Sequence, residues 1–150
     1  MPQPLRAHEI ALDAPLPEDA SLAFIGRIET PWKRREDCPR RGRLDGPNCT
    51  LILDPPWDRA LAGIEGFEML DVLYWLHESR RDLLVQNPSH SDRVRGTFAL
   101  RSPVRPNPIG LSRVRLVRRA GNRLVVRGLD CIDGTPLLDI KPETCPGAGS

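Results

Sequence analysis
Lysine is almost missing from this chain: of 22 basic residues all but Lys33 and Lys141 are arginine. A high-GC genome produces the same bias, so the choice of cation alone excludes little. Aromatic residues are scarce at 5%. Phe24, Phe67, Phe98, Tyr74 and three tryptophans fall mostly inside apolar runs, which argues against a binding barrel built on a stacking platform. Long apolar runs are absent too. The longest, Val72 to Leu76, is far below the roughly 18 residues of a spanning helix, so a soluble protein with no membrane partner is expected. The first residues lack a basic segment followed by an apolar one, which predicts a cytoplasmic location. Cys38, Cys49, Cys131 and Cys145 stand singly, and His8, His77 and His90 show no ligand spacing. Reduced thiols and no metal site are expected. Cys38, followed by Pro39-Arg40-Arg41, is the one whose thiol pKa neighbouring positive charge should lower. No glycine-rich dinucleotide or phosphate loop and no nucleophile elbow occurs, so those chemistries have no anchor.

What is present is a series of short apolar runs. At 150 residues and 39% hydrophobic content, one core is expected. Residues 1–20, rich in Pro, Ala and acid, read as an N-terminal arm or edge segment, leaving 21–150 as the domain. Leu22 to Ile28, Thr50 to Leu53, Met69 to Leu76, Leu83 to Val85, Gly96 to Leu100, Leu111 to Val117, Leu124 to Val126 and Leu137 to Ile140 read as strands between Gly/Pro turns. Met69 to Leu76, apolar on both parities except Asp71, is expected to be buried on both faces. Asp54-Pro55-Pro56-Trp57 can start a short helix through Leu61. The pattern predicts a mostly β, single-domain barrel with one or two short helices, and it lacks the β/α alternation of a doubly wound sheet.

Two features carry functional information. From Arg93 to Leu129 there is no acid, while arginine stands at 93, 95, 101, 105, 113, 115, 118, 119, 123 and 127. Guanidinium forks suit phosphates and stack on bases, so such a strip suits RNA; the alternative is a solvated face balanced by acids elsewhere in the fold. Immediately after a strand comes Arg101-Ser102-Pro103-Val104-Arg105-Pro106-Asn107-Pro108-Ile109-Gly110-Leu111-Ser112. Three prolines in six residues fix their own φ and bias their predecessors, giving a stiff loop that presents Arg101, Arg105 and the Asn107 amide with little entropy left to lose on binding.

This stretch resembles the R-S-P-x-R-P-N-P-I-G-L-S signature of the TsaA/TrmO family. Ile25 to Ile28 with Thr30-Pro31, Cys38-Pro39-Arg40, Gly63 to Phe67 with Tyr74 to His77, and Leu129 to Pro142 resemble other family segments in the family's order. The resemblance implies a single-sheeted β-barrel, usually a homodimer. It implies binding of S-adenosylmethionine and methylation of N6 of threonylcarbamoyl-adenosine beside the anticodon in tRNA. The cofactor contacts it implies are Pro39, Arg40, Arg41, His77, Glu78, Arg105, Cys131, Ile132, Asp133, Gly134 and Thr135; for substrate the motif offers Arg101, Arg105 and Asn107. The chain carries Arg41 where many relatives have Gln, and Glu143 where they have an aromatic.

Methyl transfer from a sulfonium is an in-line displacement, so positioning supplies most of the catalysis. An N6 bearing a carbamoyl group is a poor nucleophile and calls for a proton acceptor; Asp133 and Asp139 are the motif carboxylates at hand, with Asn107 and Lys141 as further candidate catalytic groups. Asp133-Gly134 also fits a plain turn, Asp139 and Lys141 share a strand face and can pair, and His77 by spacing alone is a hydrogen-bonded core histidine. Two other readings stay open: the same fold methylating another nucleoside or a small metabolite, and a non-catalytic RNA-binding barrel.

Overall fold
Alternation of apolar and polar residues over short runs favours strands that bury one face, and a set of such strands removes its edges by closing. The computed structural model describes residues 3–90 and 93–144. Its strands are β1 (Ile10–Ala11), β2 (Gly26–Glu29), β3 (Cys49–Leu53), β4 (Met69–Trp75), β5 (Leu83–Gln86), β6 (Arg95–Gly96), β7 (Ile109–Ala120), β8 (Arg123–Arg127) and β9 (Thr135–Pro142). Six close into a barrel in the order β2-β3-β8-β7-β4-β9, and β1-β5-β6 form a separate three-stranded sheet. By contacts the chain divides into two units. One holds the described residues of 22–75 and 110–150, the other those of 1–21 and 76–109. The chain thus leaves the barrel after Trp75 and re-enters it at Gly110, and the proline-rich loop belongs to the inserted unit.

Apolar side chains of all six strands fill the barrel, at every second position in β4 and consecutively in β3 and β8. Ile28, Leu51, Leu53, Leu70, Val72, Val114, Leu124, Val126 and Leu137 are almost fully buried, each such side chain contributing about 1.5–3 kcal/mol relative to exposure. β4 alternates instead of burying both faces: Leu70, Val72 and Tyr74 are buried, whereas Met69, Asp71, Leu73 and Trp75 are half-buried. The first barrel strand is shorter than its apolar run. β3 ends at Leu53, opposite Gly26, so Leu22 and Phe24 have no ladder partner and are exposed.

The mostly β barrel follows the sequence pattern, with two corrections. Leu83 to Val85 and Gly96 to Leu100, which read as a continuation of the barrel series, lie in the inserted unit. There only Arg95–Gly96 is strand, and Thr97–Ala99 is a 3₁₀ turn. The cause is local: the buried Thr97 hydroxyl donates to the Leu83 carbonyl at 2.6 Å and accepts from Gln86 Nε2 at 2.9 Å. These bonds replace strand pairing. The helix expected before Leu61 is a 3₁₀ helix over Trp57–Leu61, with other 3₁₀ turns at Arg35–Asp37 and Ile64–Gly66. Among the described residues no helix is long and apolar enough to cross a membrane.

One glycine is fixed by close approach. A Cβ on Gly110 would run into the ring of Tyr74. The glycine of the Pro-Ile-Gly-Leu-Ser segment is therefore demanded by packing inside the barrel.

Candidate functional site
In the barrel unit, the segments 38–42 and 128–135 are brought together. Gly42 lies so close to the Gly128 carbonyl that a Cβ would clash with it, which seats the Pro39-Arg40-Arg41 loop on the chain leaving β8. Pro39 is half-buried, and Arg40 and Arg41 are exposed, with no hydrogen bond or ion pair to any other described residue. The 131–135 turn is fastened to the end of β2. Asp133 N donates to the Trp32 carbonyl at 2.7 Å and Gly134 N to that of Ile28 at 2.8 Å. Thr30 Oγ1 donates to the Cys131 carbonyl at 2.9 Å, and Thr135 Oγ1 to that of Ile132 at 2.7 Å. Gly134, at φ +85°, occupies the left-handed region, which glycine enters without steric cost.

The carboxylates differ in what they are free to do. Asp133 accepts from Thr30 N at 3.0 Å and pairs with Lys33 Nζ at 2.7 Å. The Lys33 ammonium, aided by the Thr30 amide, holds its pKa below the ordinary aspartate value despite partial burial. That makes it a weak base and a clasp for the loop. Asp139 pairs with Lys141 at 3.1 Å and accepts from Ile140 N at 2.9 Å, so the pairing that strand periodicity allows is realised. Asp130 is different. Its Oδ1 accepts from the Tyr74 hydroxyl at 3.0 Å, that hydroxyl also lies 2.8 Å from Ser112 Oγ, and no cation among the described residues pairs with it. Burial, then the Asp130 charge, pushes the Tyr74 phenol far above its ordinary range.

The cysteines correct an expectation. Burial, reinforced by Asp130 and Asp37, raises the Cys38 thiol against the opposing charge of Arg35. Burial also pushes Cys49 up to about 11 and Cys131 up to about 12. These three are free thiols, and a raised pKa disfavours the nucleophilic thiolate; Cys145 lies outside the described residues. Among the described residues no three His, Cys, Asp or Glu side chains group as a metal ion requires.

The inserted unit holds the other motif residues. Arg105 does not project freely: its Nη1 donates to the carbonyls of Leu100 and Ser102, both at 3.0 Å. The proline loop is thus tied by its own arginine, and truncating that side chain would release backbone, contrary to the expectation from proline stiffness alone. Arg81 Nε donates to the Pro106 carbonyl at 2.6 Å, and its Nη2 reaches Asn107 Oδ1 at 3.5 Å. Arg101 and Asn107 are exposed. His77 and Glu78 follow β4 in a turn closed by Ser79 N to the Leu76 carbonyl at 3.0 Å, and both are exposed. His77 is therefore not a core histidine.

The arginine strip is largely balanced. Arg113 pairs with Asp71 at 2.9 Å and with Glu143 at 3.3 Å, Arg115 with Glu68 at 2.9 Å, Arg119 with Glu65 at 2.8 Å and Arg123 with Glu29 at 3.8 Å. Arg127 donates to Asn48 Oδ1 at 2.7 Å. The acids missing from 93–129 are supplied by β2, β4, the chain before β4 and Glu143 just after β9. Arg95, Arg101 and Arg118 keep no partner among the described residues.

Residues 27–145 match the family described as tRNA-methyltransferase O N-terminal domain. The chain belongs to this family. A probable S-adenosyl-L-methionine-binding protein of Rhizobium radiobacter, VirR, is 55% identical over 139 residues, 93% of this chain and 79% of that one. The tRNA (adenine(37)-N6)-methyltransferase of Escherichia coli is 37% identical over 142 residues, covering 84% of this chain and 60% of the relative. The crystal structure of TrmO from Pseudomonas aeruginosa superposes with a TM-score of 0.68 at 34% identity, over 87% of this chain and 58% of that one. The chain thus spans about three-fifths of the length of the last two.

Within this tRNA-methyltransferase O domain, the sequence motifs did not point to the hydrogen-bonded cluster of Tyr74, Ser112 and Asp130. Their signal was present: each lies inside a family segment, Ser112 closing the proline motif and Asp130 preceding Cys131. Pairing them needed the register of β4, β7 and the β8–β9 connection. The Asp133 clasp yields a pH prediction. Because the folded pKa is depressed, its contribution is complete above the ordinary aspartate value near ~4 and is lost as pH falls through the folded value. Asp133→Asn should therefore destabilise the domain at pH 7 by about 1 kcal/mol, discounted for the exposed Lys33, with the difference from wild type shrinking below about pH 4. Thermal melts across pH 2.5–7 measure it; a difference that stays constant would show that the carboxylate does not clasp.

Proposed function
We propose that this domain transfers a methyl group from S-adenosylmethionine to N6 of threonylcarbamoyl-adenosine beside the anticodon of tRNA, as a homodimer in the cytoplasm. The observation that carries the reading is the close approach, in one barrel, of two family segments, at Gly42 and Gly128, that bring charges of both signs with no ion-pair partner among the described residues: Asp130 on one, Arg40 and Arg41 on the other. A zwitterionic amino-acid moiety attached to a sulfonium matches that donor set, since its carboxylate needs a fork and its cationic centres need an uncompensated carboxylate. Bound S-adenosylmethionine supplies an electrophilic methyl group; the chain supplies orientation and proton handling. For cofactor contacts in the barrel unit the reading keeps Pro39, Arg40, Arg41 and Cys131 to Thr135.

Of the carboxylates near the motif segments, Asp133 is committed to Lys33 and Thr30, and Asp139 to Lys141. Asp130 is the one with no protein cation to give up, so it is free to face either the cofactor's cationic centre or the proton of the attacking nitrogen. The Tyr74 hydroxyl orients it. Asp139 and Lys141 are retained as supports of the β9 segment, and Asn107 as the side chain offering donor and acceptor to the adenine edge. Sedimentation equilibrium is the test of self-association.

The decisive experiment incubates the purified protein with labelled S-adenosylmethionine and tRNA from a strain deleted for its gene. Label recovered in the modified adenosine supports the reading; no incorporation into any tRNA overturns it. RNA affinity carries a second expectation. With Arg113, Arg115 and Arg119 already paired, Arg95, Arg101 and Arg118 are arginines of the strip able to release counterions on binding. Replacing these three by Gln should flatten the log–log salt slope by about 2, at roughly 0.7 per phosphate contact. Replacing Arg113, Arg115 and Arg119 instead should flatten it by less than half as much. Equal effects of the two sets would restore the picture of a continuous strip.

A further inference from the structure
Phe98 is 83% exposed, against 51% for Phe24 and 44% for Trp57, the other exposed aromatic side chains among the described residues. Single exposed apolar residues are ordinary on protein surfaces. Phe98 differs in how it is held. It sits at the middle of the Thr97–Ala99 turn, whose neighbour Thr97 is 3% exposed and anchored from two sides by the Leu83 carbonyl and the Gln86 amide. The same Gln86 amide donates to the Val104 carbonyl at 2.7 Å, and Arg105 grips the carbonyls of Leu100 and Ser102. The turn is thus locked to β5 on one side and to the proline loop on the other. A ring fixed on so braced a backbone loses little entropy when something covers it.

The flanking charges state what that something is. Arg95 and Arg101, three residues to either side, are exposed and have no acid partner among the described residues. An apolar protein partner would not call for two uncompensated guanidinium groups, whereas an unpaired nucleobase offers a π-face to the ring and its phosphates to the arginines. We infer that Phe98 is a stacking platform for an unpaired base of an RNA loop, with Arg95 and Arg101 holding the adjoining phosphates. This rests on the proposed RNA substrate but assigns a binding role outside the methyl-transfer chemistry. It also amends the sequence-based view that the chain lacks a stacking surface: a single ring suffices when the backbone fixes it.

The test measures binding of an anticodon stem-loop RNA and of a fully paired RNA duplex to wild type, Phe98→Ala and Phe98→Trp, with methyl transfer to tRNA and sedimentation followed in parallel. Expected is a loss of about tenfold or more in stem-loop affinity for Phe98→Ala, recovery in Phe98→Trp, little change for the duplex, and an unchanged dissociation constant for S-adenosylmethionine. Wild-type stem-loop affinity in Phe98→Ala would overturn the inference while leaving the enzymatic reading intact, provided the wild-type protein methylates tRNA. Loss of self-association in Phe98→Ala, with RNA affinity unchanged, would assign the ring to a subunit interface and also overturn it. A wild-type protein that binds the stem-loop through Phe98 yet methylates no tRNA would uphold the inference and sink the substrate assignment.

Discussion

Gly110→Val is expected to destabilise the barrel by about 3 kcal/mol or more, at the upper end of overpacking costs, which for a chain of this size lowers the Tm by about 10 °C. The added side chain would occupy the space of the Tyr74 ring. That ring has no cheap escape, because Tyr74 is buried and its hydroxyl is bound to both Ser112 and Asp130. Moving it breaks two hydrogen bonds or opens β4 from its neighbours. Circular dichroism melts measure the effect. A variant melting within two degrees of wild type would show that the β4–β7 seam can widen freely, and the packing reason for glycine in the motif would fall. The same substitution should also lower methyl transfer, since Asp130 loses the hydroxyl that orients it.

Arg105→Ala and Asn107→Ala should each reduce methyl transfer by at least about tenfold, roughly 1.4 kcal/mol, yet they should separate in stability. Arg105 bridges two backbone carbonyls of its own loop. Losing a half-buried charged donor leaves both acceptors short of a partner and costs about 1–2 kcal/mol, a Tm drop of about 5 °C. Asn107 is exposed and accepts only a long 3.5 Å bond from Arg81, so its truncation should leave the melt unchanged. Parallel single-turnover assays and melts decide the matter. Equal stability of the two variants would mean that prolines alone hold the loop; wild-type turnover in both would remove the loop from function.

Short apolar runs and turn chemistry made the barrel legible: β4 and β7 alternate in burial, while β3 and β8 are brief runs that bury three consecutive residues each. They did not reveal the inserted unit. Leu83 to Val85 carries the same apolar signal as a barrel strand, and the partner a strand chooses is a non-local matter that its own residues do not encode. Thr97 shows the limit at finer grain. Its β-branched side chain favours strand, yet a buried hydroxyl satisfied by Leu83 and Gln86 turned the backbone into a 3₁₀ helix. The candidate site was legible as segments and illegible as geometry: Asp133 and Arg105 stand in the motifs as polar groups awaiting a ligand, and in the folded chain both are spoken for.

By itself the sequence determined the β class, the approximate strand positions, the stiff proline loop and the membership in a methyltransferase family, since these depend on local dihedral preference, alternation and contiguous motifs. Tertiary structure alone decided which charges remain free. Arg113, Arg115, Arg119 and Arg123 are paired with Asp71, Glu68, Glu65 and Glu29, while among the described residues Arg118 and Asp130 have no ion-pair partner and Phe98 stands exposed. Ion pairing is set by distances of a few ångströms between residues dozens of positions apart, and no linear count of charge contains those distances.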